Sequence, residues 1–132
     1  MPSFLCIDIG DKLAIPATII YFVNFEEPEK MAANDCGILD TGSDVTVVSM
    51  SLVSSIKARA IKTEPSTFKL LGEVVVGVPF FLKLSFDNST FIKTKVFAVP
   101  DRILNGETII GRNVLNRHVI TFDGLNKIFT IA

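Results

Sequence analysis

From Phe81 to Phe86 the side chains alternate: Leu82, Leu84 and Phe86 interleave with Phe81, Lys83 and Ser85, the period of a strand with one face inward. Similar extended texture recurs along the chain. Strands are predicted at Phe4 to Ile9, closed by Gly10-Asp11, and at Leu13 to Phe25. A short buried strand covers Gly37 to Asp40, and another leaves the following turn at Val45 to Val48. Ser66 to Leu71 and Val74 to Phe86 form two more, joined at Gly72-Glu73, with Gly77-Val78-Pro79 marking a bulge or edge. Asp87-Asn88 turns the chain into Phe91 to Val99. Thr108 to Ile110 is a short apolar strand. A last hairpin pairs Val119 to Phe122 with Lys127 to Ile131 around Asp123-Gly124. Helical spacing occurs twice: Leu52, Val53 and Ile56 behind a Ser49 N-cap, fading near Ala60, and about one turn over Arg112 to Asn116. The polar run Glu26 to Asp35 is predicted to be an exposed loop. Many strands, two short helices and tight turns define a mostly β, barrel-like domain over residues 1–132.

Composition narrows the function more than the fold. With 132 residues, the chain suits one domain with an ordinary core. Hydrophobic residues make up 48% and charged residues 20%, which leaves little scope for disorder. The net charge is −1, so no global basic field exists to recruit nucleic acid or a membrane surface. The cluster from Lys57 through Arg59 to Lys62 is a solvated helix face. Two cysteines, Cys6 and Cys36, are too few for a disulfide framework and lack metal-ligand spacing, so packed free thiols are expected. No signal-peptide pattern opens the sequence, and the longest apolar run, Ile15 to Val23, is too short for a membrane span and contains Pro16. A cytoplasmic location is the expectation, and Asn88-Ser89-Thr90 is then a chance match to a glycosylation acceptor. Phosphate-loop, dinucleotide and zinc motifs are absent, and neither a metal nor a cofactor is expected.

Candidate chemistry centres on Ile38-Leu39-Asp40-Thr41-Gly42-Ser43-Asp44. A buried strand delivers Asp40, Gly42 permits a tight turn, and backbone N–H groups in that turn can fix the carboxylate plane. Thr41 can lock the turn through its hydroxyl. Alone, Asp-Thr-Gly is a weak signal, because these are common turn residues. A second segment lies far along the chain: Thr108-Ile109-Ile110-Gly111-Arg112-Asn113-Val114-Leu115. In order and separation the two together resemble the retropepsins, the retroviral-type aspartic proteases, over roughly residues 36 to 123. Asp8-Ile9-Gly10 is only a distant echo of the first segment and reads as a strand turn.

The resemblance implies a single-lobe acid-protease barrel with one or two short helices and a flap hairpin. It implies an aspartic endopeptidase, active as a homodimer on peptide or protein substrates. Asp40 would be catalytic, Thr41 would reach its copy in a second subunit, and the Gly42 carbonyl would accept a substrate N–H. Asp44 and Arg112 would form an ion pair tying the catalytic loop to the C-terminal helix, and Gly111 would let that helix pass close beneath. Ile38, Val47 and Ile109 would line a pocket favouring large apolar residues at the scissile bond. Ser43, Asp44 and the flap residues Leu71, Gly72 and Glu73, within Phe68 to Val75, would complete the substrate contacts. Ser43 stands where retroviral enzymes tend to carry Ala; a hydroxyl beside the carboxylate lowers its pKa, so an acid-shifted optimum is expected. Residues 124–132 extend beyond the usual retroviral end and could replace interleaved termini or fold back. The competing reading is a catalytically silent module of the same fold that binds peptides or proteins, as a monomer or a non-productive dimer. His118, the sole histidine, lacks nucleophile partners and reads as structural or surface.

Overall fold

The computed structural model describes residues 3–6, 15–62, 65–70 and 72–132. Six strands close a barrel. They are β2 (Ala17–Asn24), β3 (Met31–Leu39), β4 (Thr46–Ser49), β6 (Glu73–Ser85), β7 (Ile92–Val99) and β8 (Thr108–Ile110). Their order is β2-β3-β8-β4-β7-β6, and β6 returns to β2 through Tyr21↔Ser85 to Asn24↔Leu82. β3 and β8 run parallel, as do β4 and β7. β5 (Ser66–Leu70) extends the sheet as a hairpin partner of β6. Three short helices punctuate the strands among the described residues: α1 (Met50–Ser55), α2 (Asp101–Leu104) and α3 (Arg112–Leu115). Among the described residues no helix is long and apolar enough to cross a membrane.

Period-2 alternation fills the barrel. Leu82 and Leu84 from β6 are fully buried with Ile20 and Phe22 of β2, Val96 and Ala98 of β7, and Ile110 of β8. Each of these side chains except Ala98 contributes about 1.5–3 kcal/mol of hydrophobic stabilisation. The expected irregularity at Gly77-Val78-Pro79 is the point where β6 changes partners. Ser66↔Gly77 is the last pair with β5, and Val78↔Ala98 the first with β7. Gly77 also makes room for a ring: a Cβ there would lie 2.6 Å from Phe68 Cε1.

The run Glu26 to Asp35 is not all loop. β3 begins at Met31, and its first half pairs with β2 through Val23↔Met31 and Tyr21↔Ala33. Only Gly37 to Leu39 gain a second neighbour, β8, so residues 31–35 form an edge, where Met31, Ala33 and Asp35 are exposed. Asn24 is 6% exposed and closes the loop start: its Oδ1 accepts the Glu26 and Glu27 N–H groups, and its Nδ2 donates to the Ile56 and Lys57 carbonyls beyond α1. α1 ends at Ser55, earlier than its apolar spacing suggested. Ser49 holds the N-cap position without a side-chain cap bond. The cap comes from another element: Asp101 Oδ1 of α2 accepts the Ser51 N–H at 3.0 Å. Bonds from the Ser51 backbone and hydroxyl hold the Asp101 carboxyl below the usual carboxylate range. α2 itself joins the two expected helices; it stops where Asn105 (φ 50°) and Gly106 (φ 82°) turn left-handed.

The terminal segments form a separate sheet, ordered β1-β10-β9, from β1 (Ser3–Leu5), β9 (Ile120–Asp123) and β10 (Ile128–Ile131). Residues 124–132 therefore fold back on the chain's own N-terminal strand, with Phe4↔Phe129 and Thr130↔Ser3 in register. Phe129 is fully buried and stacks on Phe4 at 5.1 Å. The connection from β9 to β10 is wider than a tight Asp123-Gly124 turn: Asp123 pairs with Ile128, and its carboxylate accepts the Asn126 backbone and side-chain N–H groups. Asp8-Ile9-Gly10 lies outside the described residues.

Candidate active site

Asp40 follows β3 and lines a cleft of about 510 Å³. Its position is set by the backbone before any side chain acts. The Asp40 N–H donates to the Ile110 carbonyl at 2.9 Å, continuing the parallel β3–β8 ladder by one residue. The chain then folds tightly, with the Ser43 N–H on the Asp40 carbonyl at 3.2 Å. In that turn the Gly42 N–H donates to Asp40 Oδ1 at 2.9 Å and orients the half-buried carboxylate. Thr41 and Gly42 are exposed at the rim.

α3 grips the loop from below. The Arg112 N–H donates to the Ser43 carbonyl at 2.7 Å, and Arg112 Nη1 to the Thr41 carbonyl at 2.8 Å. Gly111 is needed for this approach: an added Cβ would lie 2.1 Å from the Val45 carbonyl oxygen and 2.9 Å from that of Ser43. A further brace was not visible in the sequence. Thr46, fully buried, accepts the Gly111 N–H at 3.1 Å and donates to Asn113 Oδ1 at 2.8 Å. Asn113 Nδ2 continues to the Lys95 carbonyl at 2.9 Å. Thr46 follows the apolar Val45 in a buried strand, so nothing in its local pattern marks it as a hydrogen-bond junction.

Two expected side-chain roles require correction. Asp44 and Arg112 do not form an ion pair: the guanidinium is committed to the Thr41 carbonyl, while Asp44 stays exposed at the cleft mouth. The link between the Asp-Thr-Gly loop and α3 survives, but backbone carbonyls carry it. Nor does Ser43 serve the carboxylate. Its hydroxyl donates to the Val45 carbonyl at 2.7 Å, so it is unavailable to Asp40, and the acid shift inferred from it loses its cause.

Of the expected substrate contacts, Ser43, Asp44, Val47 and Ile109 line the cleft with Asp40 and Gly42. Val47 and Ile109 are only 1% and 8% exposed, so they form its walls beneath other side chains. Ile38 packs behind them, against the same apolar cluster. The predicted flap is a hairpin: Phe68↔Val75, Lys69↔Val74 and Leu70↔Glu73 pair across a turn whose Gly72 has φ 78°. Leu71 lies outside the described residues. Gly72 and Glu73 do not line the cleft; the hairpin contributes residues 66–70 instead. Phe68 and Phe97, edge to face at 6.0 Å, close one side. Phe97 had no motif to announce it; only the strand register brings it there.

His118 sits elsewhere, edge-on to Phe86 at 5.5 Å and beside a different cavity, in keeping with a structural role. Burial pushes the half-buried Cys36 thiol above its usual range.

No family model matches the sequence, and no curated protein matches it. Among solved structures, the chain is similar to an EIAV protease complexed with the inhibitor HBY-793. The TM-score is 0.57 at 20% identity, over 83% of this chain and 93% of that one. The barrel, hairpin and Asp-Thr-Gly loop thus define a retropepsin-like fold.

Proposed function

We propose that the chain is an aspartic endopeptidase assembled from two copies. The observation that carries this is the placement of Asp40. A carboxylate with one oxygen fixed by the Gly42 N–H faces a cleft of about 510 Å³, on a loop braced from beneath by Arg112. One chain supplies one such carboxylate. A two-fold axis passing by the exposed Thr41-Gly42 rim brings two together. Carboxylates in contact share a proton, so one takes a proton from water while the other gives one to the peptide carbonyl oxygen. The water oxygen bonds to the carbonyl carbon; the carboxyl that took the water's proton then gives it to the amide nitrogen, the other carboxylate takes a proton from the diol, and the C–N bond breaks to leave an acid and an amine. The acid-shifted optimum then rests on this shared proton alone: activity falls at high pH when it is lost and at low pH when both groups hold one. Val47 and Ile109 favour a large apolar residue at the scissile bond once they are uncovered.

The test is cleavage of a mixed peptide library between about pH 3 and 7 by wild type and Asp40→Ala, with the solution mass recorded. Cleavage lost in the variant, in a dimer, supports the proposal. A monomer that cuts nothing at any concentration rejects it in favour of a binding module. One feature favours that second reading: β10 pairs with β1 on one side and β9 on the other within one chain, so neither of its edges is open to a partner's strand.

A further inference from the structure

The walls assigned to the scissile-bond side chain are covered by the protein itself. Val47 and Ile109 belong to an apolar cluster with Val75 of the hairpin and Ile103 of α2, against which Phe68 and Leu70 also pack. Val75 is 5% exposed although it stands only three residues from the hairpin turn. Its neighbours Val74 and Val76, on the opposite face of the strand, are 62% and 54% exposed. The hairpin thus lies with its Phe68-Leu70-Val75 face down on the surface a substrate side chain would need. Apolar contact alone would hold it loosely at the turn. There the chain adds a fork: Arg102 Nη2 donates to Glu73 Oε1 at 2.9 Å and Nη1 to Oε2 at 3.3 Å. Glu73 is the first residue after the turn, and Arg102 sits on α2, which carries the cluster residues Ile103 and Leu104.

We propose that Arg102 is a positioning residue that latches the hairpin, through Glu73, over the cleft of its own chain, so that peptide entry requires the latch to open. The inference builds on the proposed peptidase reading, yet the latch itself is readable without catalysis. Two parallel N–H···O bonds fix the hairpin in one pose, which a single point charge would not. Both partners are exposed, so the pair shifts the open–closed balance by a modest factor and is weakened by salt. Where the open form is the minor one, apparent substrate affinity scales with its population. Loosening the latch therefore lowers KM, and the change falls on KM rather than kcat.

Hydrogen exchange on the full chain tests the latch directly, using wild type, Arg102→Gln, Glu73→Gln and the exchanged pair Glu73→Arg with Arg102→Glu. Amides of residues 66–76 should exchange about two- to five-fold faster in each single variant. Core strands β2 and β7 should stay unchanged, and the exchanged pair should return toward wild type. High salt should bring wild type up to the Arg102→Gln rate. In parallel, KM for a cleaved peptide should fall by the same factor in Arg102→Gln. Unchanged exchange in both single variants overturns the latch, as does equal acceleration throughout the barrel. Faster hairpin exchange with an unchanged KM overturns its control of entry. If no peptide is cleaved while the hairpin responds as stated, the peptidase reading fails and the latch stands.

Discussion

Substituting Gly111→Ala probes the closest contact in the site. The added methyl would stand 2.1 Å from the Val45 carbonyl oxygen, and both the carbonyl carbon at 2.5 Å and the Ser43 oxygen at 2.9 Å crowd it further. Ordinary contact needs more than 3 Å, so the two segments must separate by about 1 Å. No flexible side chain can absorb this, because every one of these atoms is backbone. Overpacking of this kind costs roughly 1–3 kcal/mol. The separation also stretches the Arg112 N–H to Ser43 bond, now 2.7 Å, and the Gly111 N–H to Thr46 bond, now 3.1 Å. In a chain of this size each kcal/mol lowers Tm by roughly 3–6 °C. On the proposed peptidase reading the effect on cleavage should exceed the effect on stability, since a shift of about 1 Å at a reacting group can cost on the order of 100-fold in rate. Thermal unfolding and peptide cleavage, measured well below Tm, separate the two. A variant with wild-type Tm and wild-type cleavage would refute the close approach of α3 beneath the loop.

Two other substitutions examine the frame around the site. Thr46→Val keeps the shape but leaves the buried Gly111 N–H without an acceptor and Asn113 without its donor; a loss of about 1–3 kcal/mol in denaturant unfolding is expected, and a neutral result would remove Thr46 from the brace. Asp101→Asn bears on pH. The folded Asp101 carboxyl is held below its ordinary range by bonds from Ser51, so its contribution is complete above the unfolded carboxylate pKa of about 4 and fades as pH falls through the lower folded value. Tm followed from neutral to strongly acid pH should drop less steeply in Asp101→Asn than in wild type; parallel curves would deny Asp101 its capping role.

What could be read from the chain divides along the range of the interactions. The alternation at Leu82 and Leu84 and the turn at Gly72 are local in pattern, and they survive in the structure; the approach of Gly111-Arg112 to the Asp-Thr-Gly loop was implied by the family resemblance and is seen in the structure too. Arg112 shows where legibility ends: a guanidinium near both a carboxylate and a carbonyl can serve either, and only the backbone path decides for Thr41. Ser43 is similar, since its hydroxyl chooses the Val45 carbonyl two residues on. The first half of β3, Met31 to Asp35, was hidden because its strand character comes from β2 across the sheet rather than from its own side chains. α2 is four residues long, below any periodicity, and its Asp101 caps a helix fifty positions earlier in sequence. The cleft walls Phe68 and Phe97 likewise meet only through strand register.

The central claim is that one active site contains the Asp40 carboxylates of two chains, and a mixing experiment tests it most directly. Wild type and Asp40→Asn are combined in equal amounts, allowed to re-equilibrate, and assayed at constant total protein. If each site needs both carboxylates, random pairing leaves about a quarter of the dimers intact, and activity falls to about a quarter of wild type. Activity at about a half, the value for chains that work alone, would contradict the account.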